Sequence, residues 1–150
     1  MRGVKEPGQH LHLRSLLGSA RATGLAVSFT VEGVPQPLPD GAALAAYRIV
    51  QESLTNTRKH GGPRATAQVT LRYLEDALLL RITDDGLGSA AASDGAGHGL
   101  TGMRERVAIY GGWVQAGPRP SGGYQVTARL PLAPASPQEM YADAGGTGAV

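Results

Sequence analysis

Residues 40–88 read DGAALAAYRIVQESLTNTRKHGGPRATAQVTLRYLEDALLLRITDDGLG, and this stretch decides the fold. Gly41 to His60 has the apolar spacing of a long helix, with Asp40 placed to cap it. Gly61-Gly62-Pro63 then supplies a stop. Two runs of strand-forming residues follow, Ala67–Leu74 and Ala77–Thr83, and Glu75-Asp76 between them predicts a hairpin. The second run leads straight into an acidic turn with two glycines, Asp84-Asp85-Gly86-Leu87-Gly88.

On the N-terminal side, Leu13, Leu16, Leu17 and Ala20 recur at helical spacing, predicting a helix over 10–23 that Gly24 stops. Leu25–Val31 alternates as a half-buried strand does, and Pro35, Pro37 and Pro39 mark a loop. On the C-terminal side, Asp84 to Gly102 is rich in Gly, Ala, Ser and Asp and is expected to be mobile. A short helix over Met103–Tyr110 precedes Gly111-Gly112, and strands over Trp113–Ala116 and Tyr124–Leu130 close the pattern. Residues 1–9 read as a flexible lead-in, 10–132 as one domain, and 133–150 as a disordered tail rich in small residues, Pro and Gly. The order of elements predicts an α/β (α+β) two-layer sandwich, a mixed sheet covered on one face by about three helices.

Composition narrows the functional classes. At 150 residues the chain buries one core, and 17% charged with 41% hydrophobic residues is ordinary for a globular protein. It has no cysteine, which excludes disulfides and thiolate zinc sites and suits a reducing cytoplasm, the expected location. The net charge of +2 is scattered, and one Phe and one Trp cannot furnish a stacking platform, so no nucleic-acid partner is expected. No apolar run approaches the roughly 18–20 residues that span a bilayer and no signal-peptide pattern opens the chain, so no membrane contact is expected.

The chemistry concentrates in three places. At about 100° per residue, Arg48, Glu52, Asn56 and Lys59 fall on a narrow arc of the long helix, apart from the face of Tyr47, Val50 and Leu54. Such an arc either faces water or lies along a bound nucleotide. In the second case Asn56 offers a neutral oxygen to Mg²⁺ and Glu52 can order a water or accept a proton. Lys59 and His60 can donate toward phosphate oxygens, although the last turn of a helix favours cations in any event. Asp84 ends a strand, where a carboxylate can accept from the exocyclic amine of adenine and leave guanine unmatched. Gly86 and Gly88 let a flat ring approach, or else simply serve an acidic turn. Gly97-His98-Gly99-Leu100-Thr101-Gly102 precedes the next helix, so its free N–H groups suit an anion; Thr101 could instead cap that helix.

Taken together, RIVQESLTNTRKHG (Arg48–Gly61), DDGLG (Asp84–Gly88) and GHGLTGMRERV (Gly97–Val107) closely resemble the ATPase domain of bacterial sensor histidine kinases. The resemblance is best to the nitrate and nitrite sensor subfamily, within the GHKL superfamily, and spans about Leu25 to Pro131. It implies ATP and Mg²⁺ as ligands, with Asn56 on the metal and Glu52, Lys59 and His60 aiding transfer. It implies Asp84 at adenine with Gly86 and Gly88 beside the base. Gly97, Gly99, Leu100 and Thr101 would line a lid whose tip is Ser89–Ala96, and Thr127 would support the adenine pocket.

The implied activity is transfer of the γ-phosphate to a histidine on a separate helical phosphoacceptor and dimerisation domain, with a response regulator downstream. In this subfamily the acceptor histidine is followed by an acidic residue, whereas Leu11 follows His10 and Leu13 follows His12. The acceptor is therefore expected outside this chain, and the isolated domain is expected to be monomeric. Arg58 stands where a smaller or apolar residue is usual, serving either helix packing or a phosphate contact. Two alternatives stay open: a serine kinase of the anti-sigma-factor type, and a non-catalytic ATP-sensing module.

Overall fold

The computed structural model describes residues 8–86 and 96–132. Its elements run α1 (Gly8–Ala22), β1 (Ala26–Glu32), α2 (Asp40–His60), β2 (Thr66–Tyr73), β3 (Ala77–Asp84), α3 (Ala96–Ile109), β4 (Trp113–Pro118) and β5 (Tyr124–Pro131). Among the described residues the strands form one mixed sheet in the order β1-β2-β3-β5-β4. β1 pairs with β2 in parallel, joined by a crossover through α2, and the other neighbours are antiparallel.

The strand register explains why one face is covered. Val69, Ile82 and Val126 lie side by side across three strands, as do Leu71, Leu80 and Ala128, and then Tyr73, Leu78 and Leu130. All nine are buried in the core. Because strand side chains alternate, Gln68, Arg72 and Arg81 fall on the opposite face and are exposed. α2 answers the buried rows with a stripe of Ala42, Ala45, Ala46, Ile49, Val50, Ser53, Leu54 and Thr57. Leu13 and Leu17 of α1 and Val107 of α3 complete the same core. Truncating a fully buried leucine such as Leu80 to alanine costs about 2–5 kcal/mol in sites of this kind. The two-layer sandwich with its mixed sheet is as the residue pattern predicts.

Several boundaries differ from the sequence expectation: α1 begins at Gly8, inside the expected lead-in, and β4 continues to Pro118 rather than ending at Ala116. Asp40 does not cap α2: Pro39 holds the cap position, its carbonyl accepting from Ala43 N–H at 2.9 Å, and Asp40 is already helical. A carboxylate in the first turn still favours the helix dipole. At the other end Gly61 remains right-handed, and Gly62, at φ 93°, makes the turn away. The larger difference is α3, which starts at Ala96 rather than Met103. Gly97 to Gly102 are therefore helical and do not form a loop ahead of the helix. Glycine lowers helix stability by about 1 kcal/mol per residue but does not forbid a turn. Thr101, inside the helix, cannot be its cap. Gly111, at φ 81°, ends α3, with Gly112 N–H bonded to Val107 O at 3.0 Å.

Candidate active site

The apolar stripe of α2 turns polar in its last two turns, where Ser53, Asn56, Thr57 and His60 come round to one side. With Gly61 they form one wall of a pocket. Ile82 and Asp84 from the end of β3, and Tyr124 and Val126 from the start of β5, form the other. The cavity between the walls is small, about 20 Å³, and opens outward to solvent. Asp84 and Tyr124 are direct cross-strand neighbours, as are Ile82 and Val126. The sheet thus presents two apolar residues, an aromatic ring and a carboxylate to the helix.

Asp84 is held at both oxygens. Its Oδ1 accepts from Gly86 N–H at 2.9 Å, and its Oδ2 lies 3.0 Å from the hydroxyl of Thr57. Its carbonyl accepts from Arg119 at 3.4 Å. A Cβ on Gly123, which sits at φ 86°, would collide with that same carbonyl. An ionised carboxylate has about four lone-pair positions, so two remain to receive a donor from the pocket.

The neighbouring Asp85 does different work. Its Oδ1 accepts Thr66 N–H at 2.6 Å and its Oδ2 accepts the Thr66 hydroxyl at 2.9 Å. These bonds hold its carboxyl below the usual aspartate range, with a smaller contribution from the charge of Arg119. The first acid of the pair faces the pocket while the second pins the start of β2.

Gly86 is glycine for want of space. It is absent from the positive-φ glycines, so no left-handed backbone explains it. A Cβ there would run into the backbone of Gly61, the residue that ends α2. Gly61 is itself confined, since a Cβ on it would lie 2.5 Å from Thr57 O and 2.9 Å from the Ala65 Cβ. The turn after β3 and the end of α2 therefore touch backbone to backbone.

Of the residues singled out in the sequence, Asn56, His60 and Asp84 line the pocket and Gly86 sits at its edge. Glu52 and Lys59 do not line it; Glu52 is half-buried one turn before Asn56, and Lys59 is exposed. Gly97, Gly99 and Leu100 belong to the start of α3, and Thr101 is exposed on it. Gly88 and residues 89–95 of the expected lid tip lie outside the described residues. Arg48 lies beside Gly102, Met103 and Arg106 of α3. Arg58 lies on the α1 side, in a depression with Leu16, Ala20 and Thr23, which favours its packing role over a phosphate contact.

Thr127 is a correction. Strand alternation puts Tyr124 and Val126 toward the pocket and Gln125 and Thr127 on the other face. Thr127 there accepts from the Gln125 amide at 3.3 Å and cannot reach a base bound against Asp84. The sequence reading also passed over Thr57, Ser53 and Tyr124. Thr57 carried a usable signal, because it lies on the apolar stripe and a hydroxyl buried there requires a partner.

Residues 41–134 match the model of the histidine kinase-, DNA gyrase B- and HSP90-like ATPase family. The chain belongs to this family. Sensor histidine kinase LnrJ of Bacillus subtilis is 36% identical over 110 residues, covering 73% of this chain and 27% of that protein. Oxygen sensor histidine kinase NreB of Staphylococcus carnosus is 29% identical over 111 residues, covering 73% and 32%. The chain thus spans about a quarter to a third of the length of these curated relatives. The solved structure of the mycobacterial sensor histidine kinase MprB superposes with a TM-score of 0.65 at 22% identity. It covers 84% of this chain and 97% of that one, a likeness of fold. Membership implies ATP as the ligand of this histidine kinase-type ATPase domain.

Proposed function

We propose that this ATPase domain binds Mg·ATP in the pocket between α2 and the β3–β5 strand ends. Docked on a separate helical phosphoacceptor domain, it then transfers the γ-phosphate to a histidine in two-component signalling. The observation that carries the reading is the convergence of Asp84 and Asn56, 28 positions apart, on one cavity that Ile82, Val126 and Tyr124 line from the sheet. Ile82, Val126 and Tyr124 suit the faces of a purine, while Asp84 accepts from its amino group.

Asn56 faces these strand ends from α2, with His60 one turn further along that helix, on the side we assign to the phosphates. Among the described residues no group of three or more His, Asp or Glu could hold a metal by itself. An ion here would draw most of its ligands from phosphate oxygens and water, as Mg²⁺ commonly does, with Asn56 adding a neutral oxygen. Bound in that way, Mg²⁺ neutralises charge on the phosphates. The chain's own part is to orient the nucleotide, with Glu52 and Lys59 flanking Asn56 along α2 and contributing a proton acceptor and a cation. Phosphoryl transfer depends chiefly on such positioning and charge.

The partners we assign are the acceptor domain and a response regulator downstream, with the isolated domain monomeric and acting in the cytoplasm. No described helix is long and apolar enough to cross a membrane. Residues 10–132 are the proposed unit of folding. The test is incubation with labelled ATP, Mg²⁺ and a candidate helical acceptor. Acid-labile, base-stable phosphate on the acceptor is expected. Acid-stable phosphate would instead indicate a serine kinase, and stoichiometric binding with no transfer to any acceptor would indicate a sensing module.

A further inference from the structure

We propose that Thr57 is a positioning residue that sets the base selectivity of the pocket by fixing the carboxylate of Asp84. This rests on the reading of the pocket as an ATP site and names what makes it select adenine. Thr57 is 2% exposed and belongs to the stripe of α2 that packs on the sheet. Its hydroxyl has two acceptors within reach, Ser53 O and Asp84 Oδ2, each at 3.0 Å. It has one proton to give.

The geometry assigns that proton to Asp84. Ser53 O already lies in the ladder of the helix, where the N–H four residues on is its regular partner. The Ser53 hydroxyl is committed elsewhere, to Ile49 O at 2.7 Å. An ionised Asp84 can only accept, and two oxygens at hydrogen-bond distance require a proton between them. A bond to a charged acceptor is also the stronger of the two choices.

With Thr57 on Oδ2 and Gly86 N–H on Oδ1, the carboxylate is gripped from α2 on one side and from its own turn on the other. Rotating it would break both bonds. What the pocket then sees is a fixed pair of acceptor lone pairs. A 6-amino purine matches them with a donor, whereas a 6-oxo purine brings a carbonyl oxygen against them. Without Thr57, Oδ2 loses its partner and can take up a water. That water can point a hydrogen at either an amine or a carbonyl, so the distinction weakens.

Calorimetry on the 150-residue chain with Mg·ATP and Mg·ITP tests this, comparing the wild type with Thr57→Val, Thr57→Ala and Thr57→Ser. For the Val and Ala variants, loss of one bond to a charged group predicts about ten-fold weaker ATP binding. ITP binding should change little, so the ATP-over-ITP ratio falls by about the same factor. The Ser variant keeps the hydroxyl and should restore the ratio. The ratio within one variant does not depend on how much of the sample is folded, so lost stability cannot imitate the effect. Val and Ala variants that retain the wild-type ratio, including the case where both affinities drop together, would reduce Thr57 to a packing role and overturn the proposal. A wild-type chain that binds no ATP would instead remove the nucleotide reading itself, and this inference with it.

Discussion

Replacing Asp84 by Asn separates binding from folding with a one-atom change. In the native pocket Oδ1 accepts Gly86 N–H and Oδ2 receives the Thr57 hydroxyl. Asparagine keeps an oxygen for Gly86 and places an NH₂ where Oδ2 was. Thr57 can turn its proton to Ser53 O, already 3.0 Å away, and accept from the new amide. The internal network is thus re-formed with one neutral bond in place of a charged one, a cost of about 1 kcal/mol. That corresponds to a fall in Tm of roughly 2–8 °C for a domain of this size.

For the nucleotide the change is worse. The adenine amine loses a charge-assisted acceptor, about 2–3 kcal/mol, and meets a donor that leaves both groups unsatisfied, about 1 kcal/mol more. A total near 3–4 kcal/mol is a loss of roughly two to three decades in affinity. Titration calorimetry with Mg·ATP, beside circular dichroism to verify the fold, reads both quantities. Unchanged ATP affinity in a folded Asp84→Asn chain would refute the assignment of the pocket to adenine.

Three further outcomes follow from single contacts. Gly86→Ala drives a methyl into the backbone of Gly61 and is expected to destabilise the fold by about 1–3 kcal/mol, measurable by urea denaturation. Thr127→Ala, on the far face of the sheet, is expected to leave ATP affinity within about two-fold of wild type, since distant sites without shared partners act independently, and calorimetry checks it. The carboxyl of Asp85 titrates below its ordinary 3.8 because Thr66 donates to it twice. Its contribution is therefore fully present above that value and is lost as pH falls through the lower folded value. Carboxyl-carbon NMR should place the Asp85 midpoint below 3.8, and Thr66→Val should move it upward.

How far the residues could be read depended on which force set each feature. α2 was legible almost to its ends because its stripe of small and branched apolar residues has one geometric meaning against a sheet. The rows through Val69, Leu71 and Tyr73 were legible as alternation for the same reason. The start of α3 was not, since Gly97, Gly99 and Gly102 argue locally for a loop while the continuing backbone ladder argues for a helix. The cap of α2 fell to Pro39 through backbone geometry that the side-chain preference for Asp40 does not report. Thr127 was misplaced by parity: a shift of one residue along β5 exchanges the two faces. Thr57 required knowing which strand end lies across from the helix, and that information is long-range.

The contact between Gly61 and Gly86 also bears on how this pocket can be altered. Neither position can acquire a side chain, because the space beside Gly86 is filled by the main chain of Gly61 and the space beside Gly61 by Thr57 and Ala65. A combinatorial library randomised at both codons should return almost exclusively glycine pairs from any selection for folded protein. Attempts to retool the ligand preference of this domain would therefore do better to vary Tyr124 and Val126, where there are side chains to exchange, than the seam that joins helix to turn.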